Sequence, residues 1–222
     1  MTSLLLTAFP VPGVPTRRTR DADAAITTGL AGSGLLHDRL LALGYIDTSG
    51  NSYDRRIPEL AAHDGPAPIL SIDLLVPSLD GRFRPSRHGD RTFDAAPGLG
   101  LALAAPPILI DVGVTLLDST VLEFAVGVPS VECAVVIKAL AWGTRRQPRD
   151  VEDLYQLLEI AAAYSLEEVG GWALDARELA GARGDAAVQL HALASSLRRL
   201  TGANVPMARL AALIADRVGF PQ

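Results

Sequence analysis

Cysteine is nearly missing from this chain, with Cys133 the only one in 222 residues. That excludes an internal disulfide and fits a cytoplasmic protein. Cys133 sits in the apolar run Val131–Ile137 and reads as a buried small hydrophobe rather than a nucleophile. Aromatic residues are also scarce, at 5% of a chain that is 49% hydrophobic. The core must therefore be built from Leu, Ala, Val and Ile. A surplus of basic charge is lacking too, since the formal charge is −5. That rules out a uniformly basic coat for nucleic acid but leaves room for a local basic patch. No apolar run is long enough for a membrane span. The stretch Gly98–Ile110 is broken by Pro106 and Pro107 and ended by Asp111, well short of the roughly 20 residues required. The N-terminal segment has no basic residues before its short apolar run, so it does not read as a secretory signal.

What is present divides near residue 129. Upstream the chain is rich in Pro, Gly and short β-like runs; downstream it is rich in Ala and Leu with helical period. The expectation is an α+β domain over residues 1–128 and a helical domain over 129–222 that completes the active site. Asp21–Thr27, Ile69–Val76, Ile108–Val114 and Thr120–Val126 are predicted strands, short and bounded mostly by Pro or Gly. Leu35–Leu43 is a predicted helix closed by Gly44. Pro77–Pro107 reads as loop with a strand or two. Downstream, Ser130 is predicted to cap a helix that runs to Trp142 and stops at Gly143. A second helix is expected from about Arg149 to Tyr164. A third should open at the capping-box pattern Ser165-Leu-Glu-Glu168. A fourth is expected from a cap at Asp185 to near Gly202, and a fifth from Pro206 to Val218.

The sharpest chemical signal is Asp21-Ala-Asp23. On a strand, residues two apart share a face, so the two carboxylates stand together. Such a pair is costly unless a cation sits between the charges. Mg²⁺ suits it, because that ion prefers oxygen ligands and completes its shell with water and substrate phosphates. The competing reading is a solvated turn in which Asp21 pairs with Arg18 or Arg20. Asp73 adds to the first reading. It interrupts the apolar strand Ile69-Leu-Ser-Ile-Asp-Leu-Leu-Val76, where an ionised side chain needs a partner or a metal. Asp111, in Ile108-Leu-Ile-Asp-Val112, is the reserve candidate for a third ligand. Three carboxylates on neighbouring strands can hold two cations.

A second block runs from Lys138 to Leu158. Lys138 lies on a helix that is apolar nearly all round, so its head either snorkels to water or meets an anion such as a phosphate. Arg145, Arg146 and Arg149 cluster before the next helix. Asp150 and Asp153 lie in that helix's first turn, where acids complement the dipole. Arg17, Arg18, Arg20, Arg55, Arg56, Arg82, Arg84 and Arg87 join the three arginines as candidates to line an RNA-sized groove, or as a solvated surface. His37, His63, His88 and His191 are scattered and fit no metal spacing.

In order along the chain, Arg18-Thr-Arg-Asp-Ala-Asp23, then Lys138-Ala-Leu-Ala141 and Arg149-Asp-Val-Glu-Asp-Leu154, resemble the motifs of the AbiEii-type nucleotidyltransferase toxins. That family includes mycobacterial toxins that modify tRNA ends. The resemblance spans roughly residues 16 to 160. It implies the nucleotidyltransferase fold, a mixed sheet with helices followed by a C-terminal helical bundle. It also implies Mg²⁺ held by Asp21, Asp23 and Asp73, a nucleoside triphosphate bound by Lys138 and Arg20, and Asp150 as a base or positioning group at the active-site rim. The acceptor would be a hydroxyl such as the tRNA 3′ end, and a cognate antitoxin protein would be the partner. One departure stands out: no Gly-Gly or Gly-Ser phosphate turn precedes Asp21. Either that turn lies upstream of Met1, or this chain lacks it and binds nucleotide or a partner protein without turnover. A third reading keeps the fold but transfers the nucleotide to a small molecule or a protein hydroxyl.

Overall fold

The computed structural model describes residues 1–16, 21–58, 69–115 and 119–220, and of Asp21 the backbone alone. It is a mixed α+β structure. It resolves into two compact units, Arg18–Gly100 and a second formed by Met1–Arg17 with Leu101–Gln222. The expected division at residues 128/129 is thus replaced by one at 17/18 and 100/101. The reason is local packing. Ile110 and Val128, from the strands before that point, share one apolar core with Leu5, Leu6 and the later helices.

The sheet unit contains β1 (Asp21–Ala25), α2 (Thr28–Ser33), α3 (Leu35–Ala42), β2 (Ile46–Ser49), β3 (Ser52–Arg56), β4 (Ile69–Pro77), β5 (Arg84–His88) and β6 (Arg91–Ala96). The helix α1 (Thr2–Ala8) precedes them and belongs to the other unit. Strand β4 organises the sheet. Along one edge it pairs in parallel with β1; along the other it pairs antiparallel with β3 over Ile69–Asp73 and then parallel with β6 from Leu75. The hairpin partners β2 and β5 complete the sheet. Two-residue alternation separates the faces. Ala24, Tyr53, Ile72, Leu74, Val76, Phe93 and Ala95 line one face and pack with Ala31, Leu36 and Leu40 of α2 and α3. Arg91 ties the β2–β3 hairpin to β6, donating to Asp47 at 2.6 Å and to the Gly50 carbonyl at 2.6 Å. That guanidinium holds the Asp47 carboxyl below its usual range. Thr27 caps α2 by accepting from the Leu30 amide, and Gly44 ends the α3 turn at φ 81°.

The helical unit begins with α1 and continues, after α4 (Leu99–Ala104) on the division, with a hairpin of β7 (Ile108–Thr115) and β8 (Val121–Val128). Then follow α5 (Val131–Arg145), α6 (Pro148–Ala163), α7 (Gly181–Ser196), a 3₁₀ turn at Leu197–Arg199 and α8 (Met207–Arg217). Ser130 caps α5 as its sequence predicts, accepting from the Cys133 amide at 3.2 Å. The helix is apolar nearly all round and lies at the centre of the unit. Val131, Ala134, Val135, Val136 and Ala139 have no solvent exposure. Cys133 is buried, and burial pushes its thiol above the usual range. Leu154, Leu157, Leu158 and Ala161 form the core face of α6, each fully buried; every such leucine contributes about 1.5–3 kcal/mol relative to exposure.

Three helix boundaries differ from the sequence reading. Helix α5 runs through Gly143 to Arg145 and stops at Arg146, which takes the left-handed conformation. Gly143 instead lets α7 approach, since a Cβ there would sit 2.7 Å from Gln189 Cδ. The Ser165–Glu168 capping box forms, with the Ser165 amide donating to Glu168 Oε2 at 3.0 Å, yet no helix follows. Gly170 and Gly171, at φ 87° and 89°, turn the chain away. Helix α7 begins at Gly181, leaving Asp185 inside it rather than at its cap.

One buried carboxylate of the bundle makes stability depend on pH. Glu159 on α6 accepts two hydrogen bonds from Arg209 on α8, at 2.8 and 2.9 Å. The Arg209 hydrogen bonds hold the Glu159 carboxyl below its ordinary value of 4.5. A depressed folded value means that the contribution is complete above 4.5 and disappears as the pH falls through the lowered value. Urea midpoints are expected to fall as the pH drops from about 5 to about 3. Arg209→Met is expected to flatten that slope; an unchanged slope assigns the acid sensitivity to other groups.

Candidate functional site

The face of the sheet opposite α2 and α3 carries the carboxylates. Asp23 on β1 is the direct cross-strand neighbour of Asp73 on β4, and Asp21 occupies the register position opposite Ser71. Across the other edge of β4, Ser52 stands opposite Asp73 and Asp54 opposite Ser71. Adjacent strands lie about 4.7–4.9 Å apart, so Asp23 and Asp73, at one register position, are within reach of a shared cation. Two serines fix the orientation of the inner carboxylates. Ser52 donates to Asp73 Oδ1, and Ser71 donates to Asp54 Oδ1 at 2.7 Å. Asp73 and Asp54 are half-buried while Asp23 is exposed. Asp94 on β6 is opposite Leu75, two residues along from Asp73, and adds a carboxylate at the margin of the same face.

Each Asp arises where alternation places a polar residue. In Ser52-Tyr53-Asp54, Tyr53 is fully buried against the helices and its neighbours face the other way. In Ser71-Ile72-Asp73-Leu74 the apolar neighbours of the aspartate again turn to the helix-covered face, Ile72 half-buried and Leu74 buried. The sequence reading passes over Asp54, because Asn51–Arg56 has no apolar run to mark a strand. The signal was the polar–Tyr–polar alternation after the Ser49-Gly50-Asn51 turn.

This set of hard oxygen donors fits Mg²⁺ in kind, with carboxylates from two adjacent strands on one face. Among the described residues no group of three His, Cys, Asp or Glu side chains is arranged to hold a metal, the Asp21 side chain being outside them. Arg20, expected to bind nucleotide, also lies outside the described residues, as do Arg17 and Arg18. Asp111, the reserve ligand, is on β7 in the other unit, exposed and paired in register with Ala125.

Lys138 and Asp150 also belong to the helical unit. Lys138 Nζ lies 2.6 Å from Asp153 Oδ2, whose side chain is 4% exposed. The lysine therefore neither snorkels alone nor stands unpaired; it joins α5 to α6. Asp150 is fully buried. Both its oxygens accept from Arg145, at 2.8 and 2.6 Å, across the corner between the two helices. A fourth feature of this unit is a hollow of about 310 Å³ lined by Pro15, Thr16, Asp153, Tyr155, Gln156 and Asn204 among others. Gln156 Nε2 donates to the Pro15 carbonyl there at 2.9 Å, holding the end of the N-terminal segment against α6. Among the described residues, no helix is long and apolar enough to cross a membrane. Compared with known proteins, the chain matches no family model, no curated protein and no solved structure.

Proposed function

We propose that this chain is a metal-dependent nucleotidyltransferase of the AbiEii type, moving a nucleotide from a nucleoside triphosphate to an acceptor hydroxyl such as the tRNA 3′ end, as the toxin of a toxin–antitoxin pair. The observation that carries the reading is the register of β1 on β4, which sets Asp23 beside Asp73 with Asp21 two residues away. Like charges directly across a sheet are destabilising, and a divalent cation reverses that cost. Asp21, Asp23 and Asp73 would hold Mg²⁺, which supplies charge neutralisation on the triphosphate and activation of the attacking oxygen. Ser52 orients Asp73, and through it the ligand set. In the reaction the acceptor oxygen bonds to the α-phosphorus, the bond to the β-phosphate bridge breaks, and diphosphate departs. The acceptor's proton passes to a carboxylate of the sheet rather than to Asp150, both of whose oxygens are held by Arg145.

The direct test is incubation of the chain with Mg²⁺, total tRNA and each of four α-labelled triphosphates in turn. Label is expected on RNA with one or two of them and to vanish with chelator; no transfer from any of the four sinks the reading. A second reading, nucleotide binding without turnover, is favoured by the internal ion pairs of Lys138 and Asp150. Equilibrium binding of a triphosphate with no label transferred to any acceptor selects it.

A further inference from the structure

One charged surface has no part in the sheet chemistry. It is the end of the helical bundle where α5 stops and α6 begins. We propose that this end docks the phosphate backbone of a nucleic acid. Arg146 and Arg149 come from the α5–α6 corner, and Arg198 and Arg199 from the turn after α7. The two pairs lie at one end because α5 and α7 run the same way. Glu132, at the start of α5, bonds Arg183 near the start of α7, and Gly143 near the end of α5 meets Gln189. The chain then passes α6 closely, a Cβ on Gly202 falling 3.4 Å from Pro148 Cγ. All four arginines are exposed, and none forms an ion pair among the described residues. Arg145, the fifth cation here, is matched by Asp150. Glu152 accepts from the Asn204 amide on the flank of this surface.

Helix stability does not explain the arrangement. Arg198 and Arg199 complement the C-terminal end of α7, but Arg149 lies in the first turn of α6, where the helix dipole disfavours a cation. Arg146 takes a left-handed conformation, φ 51° and ψ 36°, which glycine adopts more cheaply. Its guanidinium is fixed over the Trp142 ring, 3.8 Å from the centroid. In a chain of net charge −5, four unmatched cations gathered from separate elements raise a local positive field. All are arginine, whose planar fork matches phosphate oxygens two at a time. The Trp142 ring is itself buried beneath Arg146. Contact is thus by charge to the backbone, without base stacking and with little sequence preference.

The surface belongs to the helical unit alone and does not rest on the transfer reading. The test is fluorescence anisotropy of the full chain with a labelled single-stranded RNA, against the triple variant R149E/R198E/R199E. Four phosphate contacts predict that wild-type affinity falls roughly 50-fold between about 50 and 200 mM salt, and one remaining contact only about 2–3-fold. The triple variant is therefore expected to bind at least tenfold more weakly at low salt with a flatter slope. The Lys triple variant at the same positions is expected to recover most of the slope, which a folding defect would not allow. Equal binding by wild type and the Glu triple variant overturns the proposal. So does displacement by polyglutamate as effective as by RNA of equal charge, which assigns the surface to an acidic polypeptide.

Discussion

Asp23→Ala and Asp73→Ala are each expected to lower Mg²⁺-dependent nucleotide transfer on the order of a hundredfold or more, with the sheet intact. The size follows from what is removed: a charge-stabilising group aimed at the reacting phosphate is typically worth two to three orders of magnitude in rate. The sheet survives because neither side chain belongs to the buried face, which Tyr53, Leu74 and Val76 fill. A second readout separates loss of metal from loss of fold. In metal-free protein, Asp23 and Asp73 are cross-strand neighbours of like charge. Relieving such a pair stabilises by about 0.2–1 kcal/mol, the scale of cross-strand interactions. Asp73→Asn is the cleanest form, since its amide oxygen still accepts from Ser52. The variant is expected to melt at or slightly above the wild type without Mg²⁺ and to gain little when Mg²⁺ is added. The wild type is expected to gain about 1.4 kcal/mol at tenfold Mg²⁺ over its dissociation constant. Equal thermal shifts by Mg²⁺ in wild type and Asp73→Asn would place the ion elsewhere and leave the pairing of Asp23 with Asp73 without the metal that the transfer reading requires.

The α+β class, the predicted strands at Asp21–Thr27, Ile69–Val76 and Ile108–Val114, and most of the later helices were legible because periodicity and punctuation agree there. Ile69–Val76 alternates and ends at Pro77; Ser130 and Pro206 sit at true helix starts. Errors fell where a local signal met a tertiary one. Gly143 has the sequence character of a stop, but α5 continues through Thr144 to Arg145 and α7 needs the space its missing side chain leaves. The capping box at Ser165 forms its hydrogen bonds without a helix, because Gly170 passes the α5 cap too closely for a side chain: a Cβ would lie 2.7 Å from Ser130 Cβ. The β2–β3 hairpin escaped notice because its outer face is polar and β2 is exposed throughout. With it went Asp54 and Ser52, which orient or join the carboxylates. Spacing can put Asp21 and Asp23 on one face of a strand, but only register sets Asp23 beside Asp73. The same limit applies to Lys138. Its helix leaves open whether the head reaches water or meets an anion, and three-dimensional packing supplies Asp153, a residue that sequence alone assigns to the helix dipole.

Arg145→Ala is expected to destabilise the helical unit more than Asp150→Asn, although the two changes break the same ion pair. Asp150 has no solvent exposure, whereas the Arg145 side chain is 41% exposed. Removing the arginine strands a carboxylate that water does not reach, and breaking a buried pair in this way costs about 3–5 kcal/mol. Removing the carboxylate's charge leaves a guanidinium that turns out to solvent, so the loss is nearer that of its hydrogen bonds, about 1.5–3 kcal/mol. The pair closes the corner where α5, in left-handed conformation at Arg146, hands over to Pro148 at the start of α6. Both variants are therefore expected to loosen that corner. Urea denaturation at neutral pH measures the two free energies. Equal losses in the two variants would mean that the pair acts through packing at the corner and not through charge. If that corner instead opens to let Asp150 take a proton in the transfer reaction, Asp150→Asn lowers the rate well beyond its effect on folding. A rate that follows stability alone confines Asp150 to holding α5 on α6.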